Sequence, residues 1–118
     1  MKANEANETK WVHSSINLSI YASFVFDACE RVVKNRADGK TDREALGRLV
    51  AAITVRDHWR AQALMLEGAL PELDGDLREL AGPGLENYRQ ADDVLWETIK
   101  LVADELPHGD IVYGATVH

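Results

Sequence analysis

Three stretches of the chain place apolar residues at helical intervals, and two breaker-rich connections separate them. The first stretch, 12–35, contains neither proline nor glycine. Its apolar residues Ile16, Leu18, Ile20, Ala22, Phe24 and Phe26 alternate as they would in a strand. Two stripes with a step of four argue otherwise: Ser15, Ser19, Ser23 and Asp27 are polar, and Ile16, Ile20, Phe24 and Ala28 are apolar. The run is far longer than the ~5–6 residues of an ordinary strand, so length decides for a helix. Ser14 or Ser15 is placed to cap it, with Ile16, Ile20, Phe24 and Ala28 as its apolar face.

Residues 36–40 (RADGK) read as a turn. Thr41, with Glu44 three positions later, has the form of a capping box, in which hydroxyl and carboxylate satisfy each other's backbone N–H. Leu46, Leu49, Val50 and Ile53 line one face of the helix that follows, and Trp59, Ala63, Leu64 and Leu66 continue it. The β-branched run Ile53-Thr54-Val55 weakens a helix, and Asp57 is placed to restart one. Residues 42–67 are therefore one long helix or two shorter ones. Gly68, Pro71, Gly75, Gly82, Pro83 and Gly84 mark 68–84 as a connection with a short helical turn near 72–80. The last strong pattern is 85–106, where Tyr88, Ala91, Leu95, Ile99, Val102 and Leu106 form the apolar face. Glu86, Arg89, Asp93, Glu97, Lys100 and Asp104 lie opposite, and Pro107 and Gly109 stop the helix.

These elements predict a single all-α domain over 11–118: three principal helices, the middle one either continuous or broken near Val55, in an antiparallel bundle. A polar, flexible segment, 1–10, precedes it. Trp11 marks where packing begins. The apolar residues of 110–118 need cover, from the helices or from a second chain. A three-helix bundle with this many apolar groups is expected to self-associate, most simply as a homodimer.

Composition narrows the function classes. The 118 residues include 46% hydrophobic and 28% charged side chains, ordinary values for one folded domain. The net charge of −7 disfavours phosphate-backbone binding, so no nucleic-acid partner is expected. Acidity is concentrated in 56–118, with 13 acidic and 5 basic residues against 7 and 8 in 1–55. Such a surface serves solubility, or receives a basic protein. Cys29 is the only cysteine and sits among apolar residues, which predicts a buried structural thiol and a reducing compartment. With no long apolar span and no secretion signal in the first ten residues, the expected location is cytoplasmic, with no membrane partner.

The densest polar chemistry is Arg56-Asp57-His58-Trp59-Arg60. An aspartate orienting a histidine, with an arginine for an anion, is a plausible catalytic or binding set. Sequence neighbours on a helix point in different directions, however, so a structural reading competes: a cap, an Arg–carboxylate pair and a packed indole. Asp92, Asp93 and Glu97 read as a solvated face. Asp74-Gly75-Asp76 lacks the later acids of a calcium loop. His13, His108 and His118 have no metal-ligand spacing. Neither a phosphate loop nor a nucleophile elbow is present. No metal or cofactor is expected.

The stretch 44–65, EALGRLVAAITVRDHWRAQALM, resembles a segment of an actinobacterial domain family without an assigned function, in which a helix leads into a Val-Arg-Asp motif, here Val55-Arg56-Asp57. Residues 94–118 are similar to that family's next helix and the start of another. The family's Gly-Asp-Gly region after the last helix is absent. The resemblance implies divergence or truncation and no activity. The leading expectation is a non-catalytic interaction or assembly module. A small-molecule-binding protein or enzyme with a pocket near Arg56–Arg60 is the alternative, and an acidic, antitoxin-like partner of a basic protein a third.

Overall fold

The computed structural model describes residues 2–106, with side chains from residue 9 onward. Segment 110–118, His108 and His118 lie outside the described residues. The fold is all-α: α1 (Lys2–Ala37), α2 (Arg43–Ala69) and α3 (Gly75–Val102) run up, down and up, joined by a tight turn and by a 3-10 turn, Leu70–Glu72. Helices α1 and α3 are therefore parallel, with α2 antiparallel to both. The molecule is elongated, 56 × 27 × 18 Å.

Each helix buries a stripe whose steps alternate between four and three residues. On α1 it runs through Ser15, Leu18, Ala22, Val25, Cys29 and Val32. On α2 it runs through Ala45, Leu49, Ala52, Arg56, Trp59 and Ala63, and on α3 through Ala81, Leu85, Tyr88, Asp92, Leu95 and Ile99. An average step of 3.5 keeps a stripe on the seam between neighbouring helices. The apolar stripe expected on α1 had a constant step of four, which rotates about 40° around the helix at each step. It leaves the seam: Ile16, Ile20 and Phe24 are exposed, and of that set only Ala28 is buried.

The ends of the elements differ from the expected ones for local reasons. Neither Ser14 nor Ser15 caps α1, which passes straight through both. At the α1–α2 turn, Gly39 adopts φ 75°, Lys40 N–H donates to Asn35 O at 2.8 Å, and Gly39 N–H donates to Arg36 O at 3.0 Å. That is a Schellman stop with glycine in the left-handed position. The cap of α2 is Asp42, not Thr41. Its Oδ1 accepts from Ala45 N at 2.9 Å, while Oδ2 accepts from Arg31 at 3.0 Å and Asn35 at 2.9 Å. A carboxylate can cap with one oxygen and tie α1 with the other, which a single hydroxyl cannot do. Thr41 instead donates to Glu105 at 3.3 Å, and Glu44 accepts from Arg48 at 3.1 Å.

Helix α2 is unbroken across Ile53-Thr54-Val55, so Asp57 restarts nothing. Ile53 is buried, Thr54 donates back to Val50 O at 2.8 Å, and packing overrides the weak local propensity. The second connection is much shorter than expected. Asp74 caps α3 by accepting from Leu77 N at 3.0 Å, and Arg78 donates to the carbonyls of Leu70, Pro71 and Leu73.

Gly82-Pro83-Gly84 therefore lies inside α3. A residue before proline resists helical angles because its Cβ meets the ring, and Gly82 has no Cβ. Pro83 has no N–H to donate to the preceding turn. Into this region α1 inserts Ser15, whose hydroxyl donates to Ala81 O at 2.6 Å and accepts from Gly84 N–H at 3.1 Å. Gly84 is needed for closeness: a Cβ there would stand 2.1 Å from Ser15 O and 2.6 Å from Ser15 C. The backbones of α1 and α3 thus come into direct contact at Ser15 and Gly84. Further along, Arg36 pairs with Glu105.

Two predictions follow from these contacts. Gly84→Ala lowers stability by about 3 kcal/mol, because backbone must move. Gly47→Ala, at an exposed helix position with nothing near its added carbon, raises stability by roughly 0.5–1 kcal/mol. Urea unfolding of both variants checks the contrast; equal effects would refute the close approach.

For the α2 cap, the Ala45 N–H bond, joined by Arg31, holds the Asp42 carboxyl below the usual carboxylate range. A depressed folded-state pKa adds stability that is full above the unfolded pKa, about 3.9, and lost as pH falls through the folded one. Asp42→Ala is thus expected to lower the urea midpoint at pH 7 and to approach the parent in acid. Thr41→Ala stays near the parent throughout. A larger loss from Thr41→Ala would assign the cap wrongly.

Candidate functional site

Two of the polar residues on the buried stripes, Arg56 of α2 and Asp92 of α3, face each other. Arg56 Nε donates to Asp92 Oδ1 at 2.6 Å and Nη2 to Oδ2 at 3.0 Å, a two-point fork. The Arg56 side chain is 8% exposed and that of Asp92 21%. Its guanidinium carbon also lies 4.7 Å from the Trp96 ring centre. Burial alone would lower the Arg56 pKa, but the bond to Asp92 and its charge outweigh that and hold the cation above its usual range.

An aromatic cluster adjoins the pair. Tyr21 of α1 stacks on Trp59 at 5.3 Å and on Tyr88 at 5.9 Å between ring centres. The Tyr21 hydroxyl donates to Ala52 O at 3.1 Å. Tyr88 is buried, and its hydroxyl has no hydrogen-bond partner among the described residues. Its pKa is pushed up to about 12, by burial first and then by Asp92, with Arg56 and Arg60 opposing.

Between α2 and α3 this ground opens into a cleft of about 160 Å³. Arg60, Ala63 and Leu64 form one wall; Leu85, Tyr88 and Asp92 form the other. Arg89 and Glu67 pair across it at 2.7 Å.

The five residues singled out in the sequence separate accordingly. Arg56 is buried in an ion pair, Trp59 packs on Tyr21, and Arg60 lines the cleft. His58 is exposed, its ring edge-on to Trp59 at 5.0 Å. Asp57 is half-buried, and its charge supports Arg56. His58 and Asp57 do not face the cleft, so an Asp–His base is not assembled there.

Asp92 is the residue that sequence reasoning misplaced; Tyr88 lies on the apolar face of α3 as expected, but its place beside Arg56 and Asp92 was not foreseen. Asp92 is not on a solvated face. It occupies the α3 stripe with Tyr88 and Leu95, where a lone carboxylate signals a buried cation opposite. Elsewhere the structure agrees with the sequence: Cys29 is buried, and burial pushes its thiol pKa up. Among the described residues no three His, Cys, Asp or Glu side chains converge as metal ligands would, and no helix is long and apolar enough to cross a membrane. No protein-family model, curated protein or solved structure matches the chain.

The Arg56–Asp92 pair yields a direct test. Asp92→Ala strands a buried cation and costs about 2–4 kcal/mol, toward the low end because part of Asp92 reaches water. The double variant Arg56→Met/Asp92→Leu, apolar on both sides, recovers most of that loss. Chemical denaturation of the set decides: a double variant no more stable than Asp92→Ala would contradict the pairing.

Proposed function

We propose that the chain is a non-catalytic helical assembly module that pairs with a second copy of itself through the face shared by α1 and α3. The observation that carries this reading is the exposure of large apolar side chains along that face. Ile16 is 51% exposed, Ile20 63% and Leu80 63%. These line a shallow groove with Pro83 beside the Ser15–Gly84 contact. Toward the other end, Phe26, Val33 and Val94 line a second open groove of about 660 Å³. Helix α2 covers the opposite side of α1 and leaves both grooves open.

The dimensions suit an isologous pair. Two helices side by side are about 20 Å wide, and α3 from Leu80 to Leu101 is about 32 Å long, an outline of roughly 600 Å². A standard interface buries about 800 Å² per partner, measured over a corrugated surface. Charge favours a second copy over a basic protein. The chain carries −7, yet the first groove has no charged lining residue and the second has Glu30 together with Lys34. Two copies can meet there without stacking like charges, whereas a basic partner would be drawn to acidic ground elsewhere.

Light scattering after gel filtration is expected to give twice the 13.1 kDa chain mass. Ile20→Glu combined with Leu80→Glu halves that mass, while Leu64→Glu, on an exposed apolar position of α2, leaves it unchanged. The parent's melting temperature rises with protein concentration, as mass action requires. A parent that stays at one chain mass up to millimolar concentration would defeat the proposal.

A further inference from the structure

We propose that the cleft between α2 and α3 binds a small monocarboxylate, its charge held by Arg60 and the Tyr88 hydroxyl and its apolar body against Ala63, Leu64 and Leu85. This stands apart from self-pairing, which uses the α1/α3 face.

The buried hydroxyl of Tyr88 carries the inference. A buried polar atom without a partner costs stability, and folded proteins hold few of them. Phenylalanine would fill the same space against Tyr21 at no such cost. The hydroxyl belongs to a residue that lines the cleft and is itself closed off from solvent, so the proposed ligand reaches it by displacing the side chains that cover it. With its pKa pushed up to about 12, this group keeps its proton in neutral solution and acts as a donor.

The charges around the cleft select the ligand. Asp92 is neutralised by Arg56, and Glu67 by Arg89. Arg60 lines the cleft with no ion pair or hydrogen bond among the described residues. One uncompensated guanidinium suits one carboxylate, and its planar fork matches the two oxygens. A dianion would find no second free cation and would meet the Asp92 side chain. A cation would meet the uncompensated Arg60.

Size sets the rest. The cleft, at about 160 Å³, is close to a cavity of about 150 Å³ known to admit benzene. The ligand class is therefore a monocarboxylic acid with a body no larger than one ring or a short branched chain.

Benzoate titrated into the full chain, followed by calorimetry and by the Tyr88 ring resonances, tests this. Saturable binding at one site is expected, with a Kd of roughly 0.1–1 mM. Tyr88→Phe and Arg60→Gln each weaken it about tenfold, the usual effect of deleting one hydrogen bond to a charged group. Both changes keep the bulk of the side chain, and Arg60 is exposed, so the fold is expected to survive; circular dichroism checks it. Benzyl alcohol and benzylamine bind at least about tenfold more weakly than benzoate. No saturation by about 20 mM, equal affinity in both variants, or benzylamine binding as tightly as benzoate would each overturn the proposal.

Discussion

The position of α3 depends on one contact. A serine of α1 enters α3 beside a proline that has no N–H, and its hydroxyl bridges Ala81 O and Gly84 N–H. Among the described glycines, Gly84 alone is a position at which an added carbon would strike another helix. The contact fixes where α3 lies along α1. Asn87 then reaches Ser19 at 3.2 Å, Tyr88 meets Tyr21, and Glu105 meets Arg36. The same register sets Asp92 opposite Arg56.

The three stripes are similar enough that apolar packing alone specifies register weakly. Sliding a helix by seven residues would again place small and aliphatic groups in the seam. Ser15, Arg56 and Asp92 remove that freedom, because each would be left buried and unsatisfied in a slipped register. The Arg56–Asp92 pair need not add stability over an apolar pair to perform this task. It is also why the polar chemistry of 56–60 divides. Arg56 is committed to structure, and Arg60, one turn along on the same side of α2, reaches the cleft.

Much of the fold was legible in the sequence. The absence of breakers in 12–35, and the apolar periodicity of 42–67 and 85–106, gave three helices and two reversals. The limits were set by side chains that serve two masters. Asp42 caps α2 and holds Arg31 together, so a stronger cap lay one residue beyond an orthodox capping box. Gly82, Pro83 and Gly84 look like punctuation when read locally. Inside α3 they have separate duties, relief before the proline, a missing donor and a close approach, and all three depend on α1. Helix α1 itself misled because three residues of its step-of-four apolar stripe, Ile16, Ile20 and Phe24, face outward. The site was half legible: Arg56 and Arg60 stand out in a dense polar cluster, whereas Asp92 and Tyr88 look ordinary until α3 is given its register.

The amide exchange rate of Gly84 tests this account most directly. If the Ser15 hydroxyl joins the two helices, the Gly84 N–H exchanges only as fast as the whole domain unfolds. In Ser15→Ala, which removes the bridging hydroxyl, its protection collapses while amides in the middle of α2 stay slow. A Gly84 amide that exchanges freely in the parent, or one equally protected in Ser15→Ala, would contradict the contact on which the arrangement of α1 and α3 rests.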